Sequence, residues 1–358
     1  MGMILLGKPT GTAFAQVTPA ASVTPPDDTP SIRIGATLFG DYTYSLKPTT
    51  TDADGNQVHA NAFNVARAYL NVTGNISHIV AFRITPDVAR ETGTSSALSG
   101  SLVLRIKYAY LQTNLDDWLP KGSWARFGIQ QTPWLDFMEG AYRYRWQGTL
   151  FSEREGFFAS ADAGASFHTN FPSNYGDLHV GIFNGENYQK AEANDQKAIM
   201  LRGTVRPFAT GRPVLRGLRA SLFYDGDHYI ANAERTRLLA GLTFEHRVVN
   251  VGFEYIDAND QTSARPGISS VNSRGYSIWV TPKTSKGWEV LLRRDHLSPN
   301  TALDGVRDRT IAGIAYWFPR QGSVSSALML DYDGQTFDNF APALPVQRKL
   351  AVHALVNF

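Results

Sequence analysis

The chain has 358 residues, 34 Lys and Arg against 32 Asp and Glu, a formal net charge of +2 and no cysteine. That balance disfavours nucleic-acid binding and a basic membrane-surface role, and the lack of cysteine rules out disulfides, thiol catalysis and thiolate metal sites. Nowhere do about 18 apolar residues run together, so a helical membrane protein is excluded too. What remains, with 12% aromatics and 31 glycines, is the composition of many strands and tight turns.

Ile4 to Leu6 is apolar, and Ala13-Phe14-Ala15 before Gln16 has the small-x-small form of a signal-peptidase site. Residues 1–15 are therefore expected to be the remnant of a signal peptide. Residues 16–30, rich in Pro, Thr and Ala, are expected to be a flexible periplasmic lead-in outside the fold. One domain should occupy 31–358.

From Ser31 the chain divides into alternating apolar and polar segments, a period that places side chains on opposite faces of a strand. In the first, Ile34, Ala36, Leu38 and Tyr42 would face lipid and Arg33, Thr37 and Asp41 inward. Further strands are predicted at 63–73, 78–90, 102–114, 122–131, 157–169, 175–185 and 196–208. Eight more follow, at 216–227, 235–247, 248–258, 274–283, 286–296, 307–318, 323–334 and 346–358. Short connections (75–77, 116–121, 171–175, 209–215, 285, 319–322) alternate with long ones (47–62, 91–101, 132–156, 186–195, 259–273, 297–306, 335–345). The fold class is thus all-β, a transmembrane antiparallel up-and-down barrel of 16 strands. Such a barrel leaves an aqueous channel.

The third long connection carries Trp134, Phe137, Met138, Tyr142, Tyr144, Trp146 and Phe151 beside Asp136, Glu139, Arg143, Arg145, Glu153, Arg154 and Glu155. A loop so aromatic needs something to pack against, in the lumen, across the barrel mouth or on a neighbouring subunit; its position resembles the constriction loop of sixteen-stranded porins, which implies that it folds into the lumen. Asp136, Glu139, Arg143 and Arg145 would then line the constriction.

Residues flanked by lipid-facing apolar ones must point inward, because Arg or Lys on the lipid face near the midplane costs about 2–4 kcal/mol. In 102–114, Leu102, Leu104, Ile106, Tyr108 and Tyr110 are expected outward and Arg105 and Lys107 inward. The pore-lining cations become Arg33, Arg67, Arg83, Arg105, Lys107, Arg126, Arg202 and Arg206, with Arg219, Arg237, Arg247, Arg293, Arg309 and Lys349. Asp41, Asp87, Asp162, Asp225, Glu245, Glu254, Glu289, Asp295, Asp331 and Asp333 should oppose them. A basic wall built by Arg33, Arg67, Arg83, Arg105, Lys107 and Arg126 would concentrate anions; if those cations instead pair with loop and wall carboxylates, the field would be transverse and weakly selective.

The last segment puts Leu350, Val352, Ala354, Val356 and Phe358 on one face, an apolar strand ending on an aromatic. It resembles the C-terminal insertion signal of bacterial outer-membrane barrels, which implies recognition by the barrel-assembly machinery through Phe358. Phe63-Asn-Val-Ala-Arg-Ala-Tyr-Leu70, Arg105-Ile-Lys-Tyr-Ala-Tyr-Leu111 and Arg126-Phe-Gly-Ile-Gln130 before Pro133 resemble the phosphate-selective porin O and P family. That resemblance implies an outer-membrane homotrimer embedded in lipid and passing small anions or hydrophilic solutes. The third loop departs from a strongly phosphate-selective pattern by holding four acids beside three arginines.

Other motifs carry little. Asp225-Gly-Asp227-His228 and Asp331-Tyr-Asp333-Gly334 are fragments of calcium loops without the full ligand set, and no metal or cofactor is expected. Asp295-His296 with Ser298 is the seed of the alternative, a barrel-embedded hydrolase. A plugged structural or adhesive barrel is the other alternative, but the lead-in is too short for a plug domain.

Overall fold

A computed structural model describes residues 28–358, apart from positions 212 and 266. The expected signal-peptide remnant and the lead-in before residue 28 lie outside the described residues.

Among the described residues eighteen strands form, in chain order: β1 (Ser31–Lys47), β2 (Thr50–Thr51), β3 (Gln57–Val58), β4 (Asn61–Asn75), β5 (Val80–Arg90) and β6 (Leu102–Asn114). β7 (Trp124–Gln131), β8 (Ala161–Asn170), β9 (Gly176–Phe183), β10 (Ala198–Val205), β11 (Leu218–Ile230) and β12 (Ala233–His246) follow. The set ends with β13 (Val249–Asp260), β14 (Val271–Pro282), β15 (Trp288–Ser298), β16 (Val306–Trp317), β17 (Ser325–Asp338) and β18 (Gln347–Asn357). β2 and β3 pair only with each other, a small ribbon within the first long loop. The other sixteen close into one antiparallel barrel in which β1 pairs with both β4 and β18. Closure leaves no edge strand, so the backbone polar groups of the wall bond within the barrel, as a membrane interior requires.

The outer face is apolar at mid-height, with Ile34, Leu104, Phe127, Leu222, Leu242, Ile278 and Leu330 exposed. Trp288 and Tyr316, 4.9 Å apart, begin an aromatic girdle at the short-turn end, and Tyr42 with Phe63, 4.6 Å apart, belongs to one at the other end. An apolar belt between aromatic girdles marks a membrane-spanning barrel. Charges do occur on this outer face toward the long-loop end, where they neutralise one another across strands: Arg274 with Asp257 at 2.9 Å and Arg294 with Asp308 at 3.1 Å.

The sixteen predicted strands all form, and two details differ. The strict alternation of long and short connections fails at β11–β12, which are joined by residues 231–232 alone, with Asn232 at φ 64° supplying the turn. Both strands run further than expected and meet in a tight hairpin. In β6, Thr85 pairs with Tyr108 but the next residue, Pro86, pairs with Ile106. Lys107 is thus the extra residue of a β-bulge, and alternation inverts there. Tyr108 and Tyr110 are buried inside the barrel instead of facing lipid, as expected from uninterrupted parity.

Candidate functional site

The third loop folds into the lumen. It begins as helix α1 (Pro133–Tyr142), with Pro133 in the first turn where its missing N–H costs nothing, and ends as the single turn α2 (Phe151–Arg154). Trp134, Leu135, Met138, Tyr142, Tyr144 and Phe151 are fully buried against the inner wall. Gly241 and Gly275 make the beds: a side-chain carbon at either would lie 2.7 Å from the Trp134 indole or 2.6 Å from the Phe151 ring. These inward glycines are the sequence signal, unread above, for where the loop docks.

Polar bonds fix the loop along the same wall. Trp134 donates to Glu254 at 3.0 Å, Tyr144 to Glu289 at 2.9 Å, Gln147 to Asp331 at 2.8 Å and Arg154 to Asp295 at 2.7 Å. Arg293 donates to the Thr149 carbonyl at 3.0 Å, and Arg307 to Glu155. The wall acids expected inward do face inward, and Glu254, Glu289, Asp295 and Asp331 are spent on holding the loop.

Within the loop, Arg145 reaches Glu139 at 2.8 Å and Glu153 at 3.3 Å, and Arg143 lies 3.5 Å from Glu289. Burial raises the Glu139 carboxyl above its ordinary range, and the nearby Arg145 guanidinium opposes that rise. Asp136 alone of the four expected constriction residues is exposed, toward the short-turn end.

The opposite wall, β4 to β7, carries the cations. Arg67 and Arg105 share Asp87 at 2.6 and 3.3 Å. Arg83 donates to Asn71 and Thr85, each at 2.9 Å, under the face of Tyr108. Lys107 donates to the Tyr69 hydroxyl at 3.3 Å and sits between the Tyr69 and Tyr108 rings. Arg126 donates to Gln112 at 2.9 Å and stacks 3.6 Å over Trp124.

The expectation that these residues line the pore needs a correction. They point inward, but Arg83 and Lys107 are 1% exposed and Arg126 3%, because tyrosine and tryptophan rings cover them. Arg83 and Lys107 project a field and do not touch a passing solute, while Arg126 reaches only the cavity beneath α1. Arg67 and Arg105 remain partly open, and Arg33 sits exposed at the short-turn rim, apart from the wall it was expected to join. Arg202 is covered and pairs with Asp177, Arg206 lies beyond the end of β10, and Arg247 falls in the turn at 247–248 rather than in the wall. Asp295 and His296 point to opposite faces: Asp295 bonds Arg293 inside, while His296 stacks on the outward Tyr276. The pieces of a wall hydrolase are therefore separated by the strand.

No protein-family model and no curated protein matches the chain. Solved structures do match in fold. An anion-selective porin from Comamonas acidovorans aligns with a TM-score of 0.61 at 11% identity, over 92% of this chain and 100% of that one. The outer-membrane channel DcaP of Acinetobacter baumannii gives 0.60 at 12%, over 92% and 97%, and OmpF of Salmonella typhi 0.61 at 9%, over 91% and 97%. The chain has the porin fold.

Proposed function

We propose that the chain is an outer-membrane porin, a water-filled channel for passive diffusion of small hydrophilic solutes with a preference for anions. The observation that carries the preference is an asymmetry of pairing. Apart from the exposed Asp136, the acids of the loop and of the wall it docks on are paired with arginines or bonded to the loop, whereas across the lumen Lys107 and Arg126 have no carboxylate within ion-pair distance among the described residues. Uncompensated positive charge in a low-dielectric wall attracts anions. The sharing of Asp87 by Arg67 and Arg105 weakens this field without cancelling it.

The resemblance to phosphate-selective porins makes phosphate one candidate anion. A homotrimer fits the apolar outer face of β1 and β4, where Ile32, Ile34, Phe63 and Leu70 are exposed, and a Vibrio cholerae outer-membrane protein of the same fold has been solved in a trimer form. Recognition of Phe358 by the assembly machinery belongs to the same proposal.

Planar-bilayer recording of the refolded protein tests it. Open conductance with a reversal potential displaced toward that of the anion across a salt gradient is expected. Absence of conductance would overturn the porin reading, and a reversal potential at zero would overturn the anion preference.

A further inference from the structure

At the short-turn end, beneath α1, a second arrangement stands apart from the constriction. Trp124, His168, His179 and Arg202 lie directly opposite one another on four successive strands, β7 to β10. Their side chains point inward as one row. The Trp124 and His168 rings stack at 5.1 Å, and His168 meets His179 edge-on at 5.9 Å.

The row forms one wall of a cavity of about 460 Å³, also reached by Arg126, Arg206 and Asp136, and by Asp177 and Glu245, which are paired with Arg202 and Arg219. His179 is 1% exposed and its Nε2 has no hydrogen-bond partner among the described residues. Nε of Arg206 is also buried without a partner, and neither Arg126 nor Arg206 has a carboxylate within ion-pair distance among the described residues. Native structures rarely leave buried polar groups unpaired. Guanidinium donors beside an unspent imidazole nitrogen make a polar cradle that an acceptor group can fill.

Size and Asp136 narrow the class. The cavity is of the size that takes an organic molecule, and inorganic phosphate would leave most of it to water. The exposed Asp136 carboxylate would accept from a hydroxyl or amino group on the same ligand.

We propose that this is a binding site for a small organic oxyanion, a hydroxycarboxylate in class, at the periplasmic mouth of the channel. Its placement there rests on the porin reading above; the donor set does not. A carboxylate would sit against Arg126 and His179, with a second acidic group toward Arg206.

Calorimetry on the refolded full chain in detergent, with citrate as the probe and phosphate as the control at constant ionic strength, reads binding without needing conduction. Saturable citrate binding is expected, weakened at least tenfold in Arg126→Gln and in Arg206→Gln. The second variant lies outside the barrel wall, so the test survives if the first fails to fold. No citrate binding, affinity unchanged in Arg206→Gln, or phosphate bound as tightly as citrate would overturn the proposal. In bilayers, citrate should block at lower concentration from the periplasmic side than from the outside, and equal block from both sides would count against it. A chain that binds citrate yet conducts nothing would sink the porin reading and leave the site. A chain that conducts and ignores citrate would do the reverse.

Discussion

The indole N–H of Trp134 donates to Oε1 of Glu254 at 3.0 Å, joining the first turn of the lumenal helix to a strand 120 residues later in the chain. The ring fills the bed at Gly241, so the contact combines packing with the bonding of a buried carboxylate. Removing a fully buried Trp costs roughly 3–5 kcal/mol. In Trp134→Ala that cost falls on loop docking while the barrel stays closed. Single-channel recording should show higher conductance and more open-state noise, with unchanged mobility of the unheated protein on gels. Conductance equal to that of the parent would mean that the loop is held elsewhere.

Arg145 is the counter-charge of both Glu139 and Glu153. Arg145→Gln leaves the buried Glu139 and the half-buried Glu153 without their counter-charge. Some of that negative charge is removed by protonation, because burial already raises Glu139. The reversal potential should move toward cations at pH 8 and recover part of the way toward the parent value as pH falls and the acids take up protons. A pH-independent shift would contradict this coupling.

Lys107→Met removes a charge with no carboxylate within ion-pair distance among the described residues and keeps most of the buried volume. A charge within about 7 Å of the passage changes a passing ion's energy by roughly 1 kcal/mol after screening, about fivefold in a permeability ratio. Anion preference should fall by that order in reversal-potential measurements at low salt and less at high salt. The same substitution at Arg105, already opposed by Asp87, should have a smaller effect.

His78, in the turn between β4 and β5, bonds Asp28 at 2.6 Å and Asp117 at 3.1 Å. The bond to Asp28 raises the imidazole pKa above its ordinary 6.5. A raised folded-state value means that this clasp is fully formed below the unfolded pKa and is lost as pH rises through the folded one. NMR titration should place His78 above 6.5 in the parent and lower in Asp28→Asn.

Phe358 and Ala36 exchange backbone bonds at 2.9 and 3.0 Å across the seam. Deleting Phe358 removes both, and we expect slower assembly and a lower temperature for the gel-mobility change than in the parent. Gly35→Val should act in the same direction, because a side-chain carbon there would lie 2.5 Å from the Phe358 carbonyl oxygen.

Much of this was legible in the chain. Two-residue alternation is a direct consequence of strand geometry, so strand number and inward acids such as Asp87, Glu254 and Asp331 could be read without coordinates. The aromatics of the third loop showed that it packs on something, and its resemblance to a porin constriction loop pointed to the lumen. What could not be read depends on register. A bulge at Lys107 adds one residue and inverts every later parity assignment in β6, which is why Tyr108 and Tyr110 were misplaced. The row from Trp124 to Arg202 exists only once four strands are aligned, and nothing within any one strand announces it. Coverage of Arg83 and Lys107 by tyrosine rings is likewise a property of neighbours.

The closing of β1 on β18 has a temporal side. Thr37 and Asn357 share a hydrogen bond across 320 positions of sequence, so the contact that completes the barrel is among the least local the chain can make. Contacts of such separation form late and slowly. Until they form, two strands present bare backbone to whatever is near, the condition in which sheets stick to their neighbours. The chain's most hazardous moment is therefore its passage to the membrane with that seam still open, and a chaperone or assembly factor that covers one strand edge would be protecting the molecule where it is weakest.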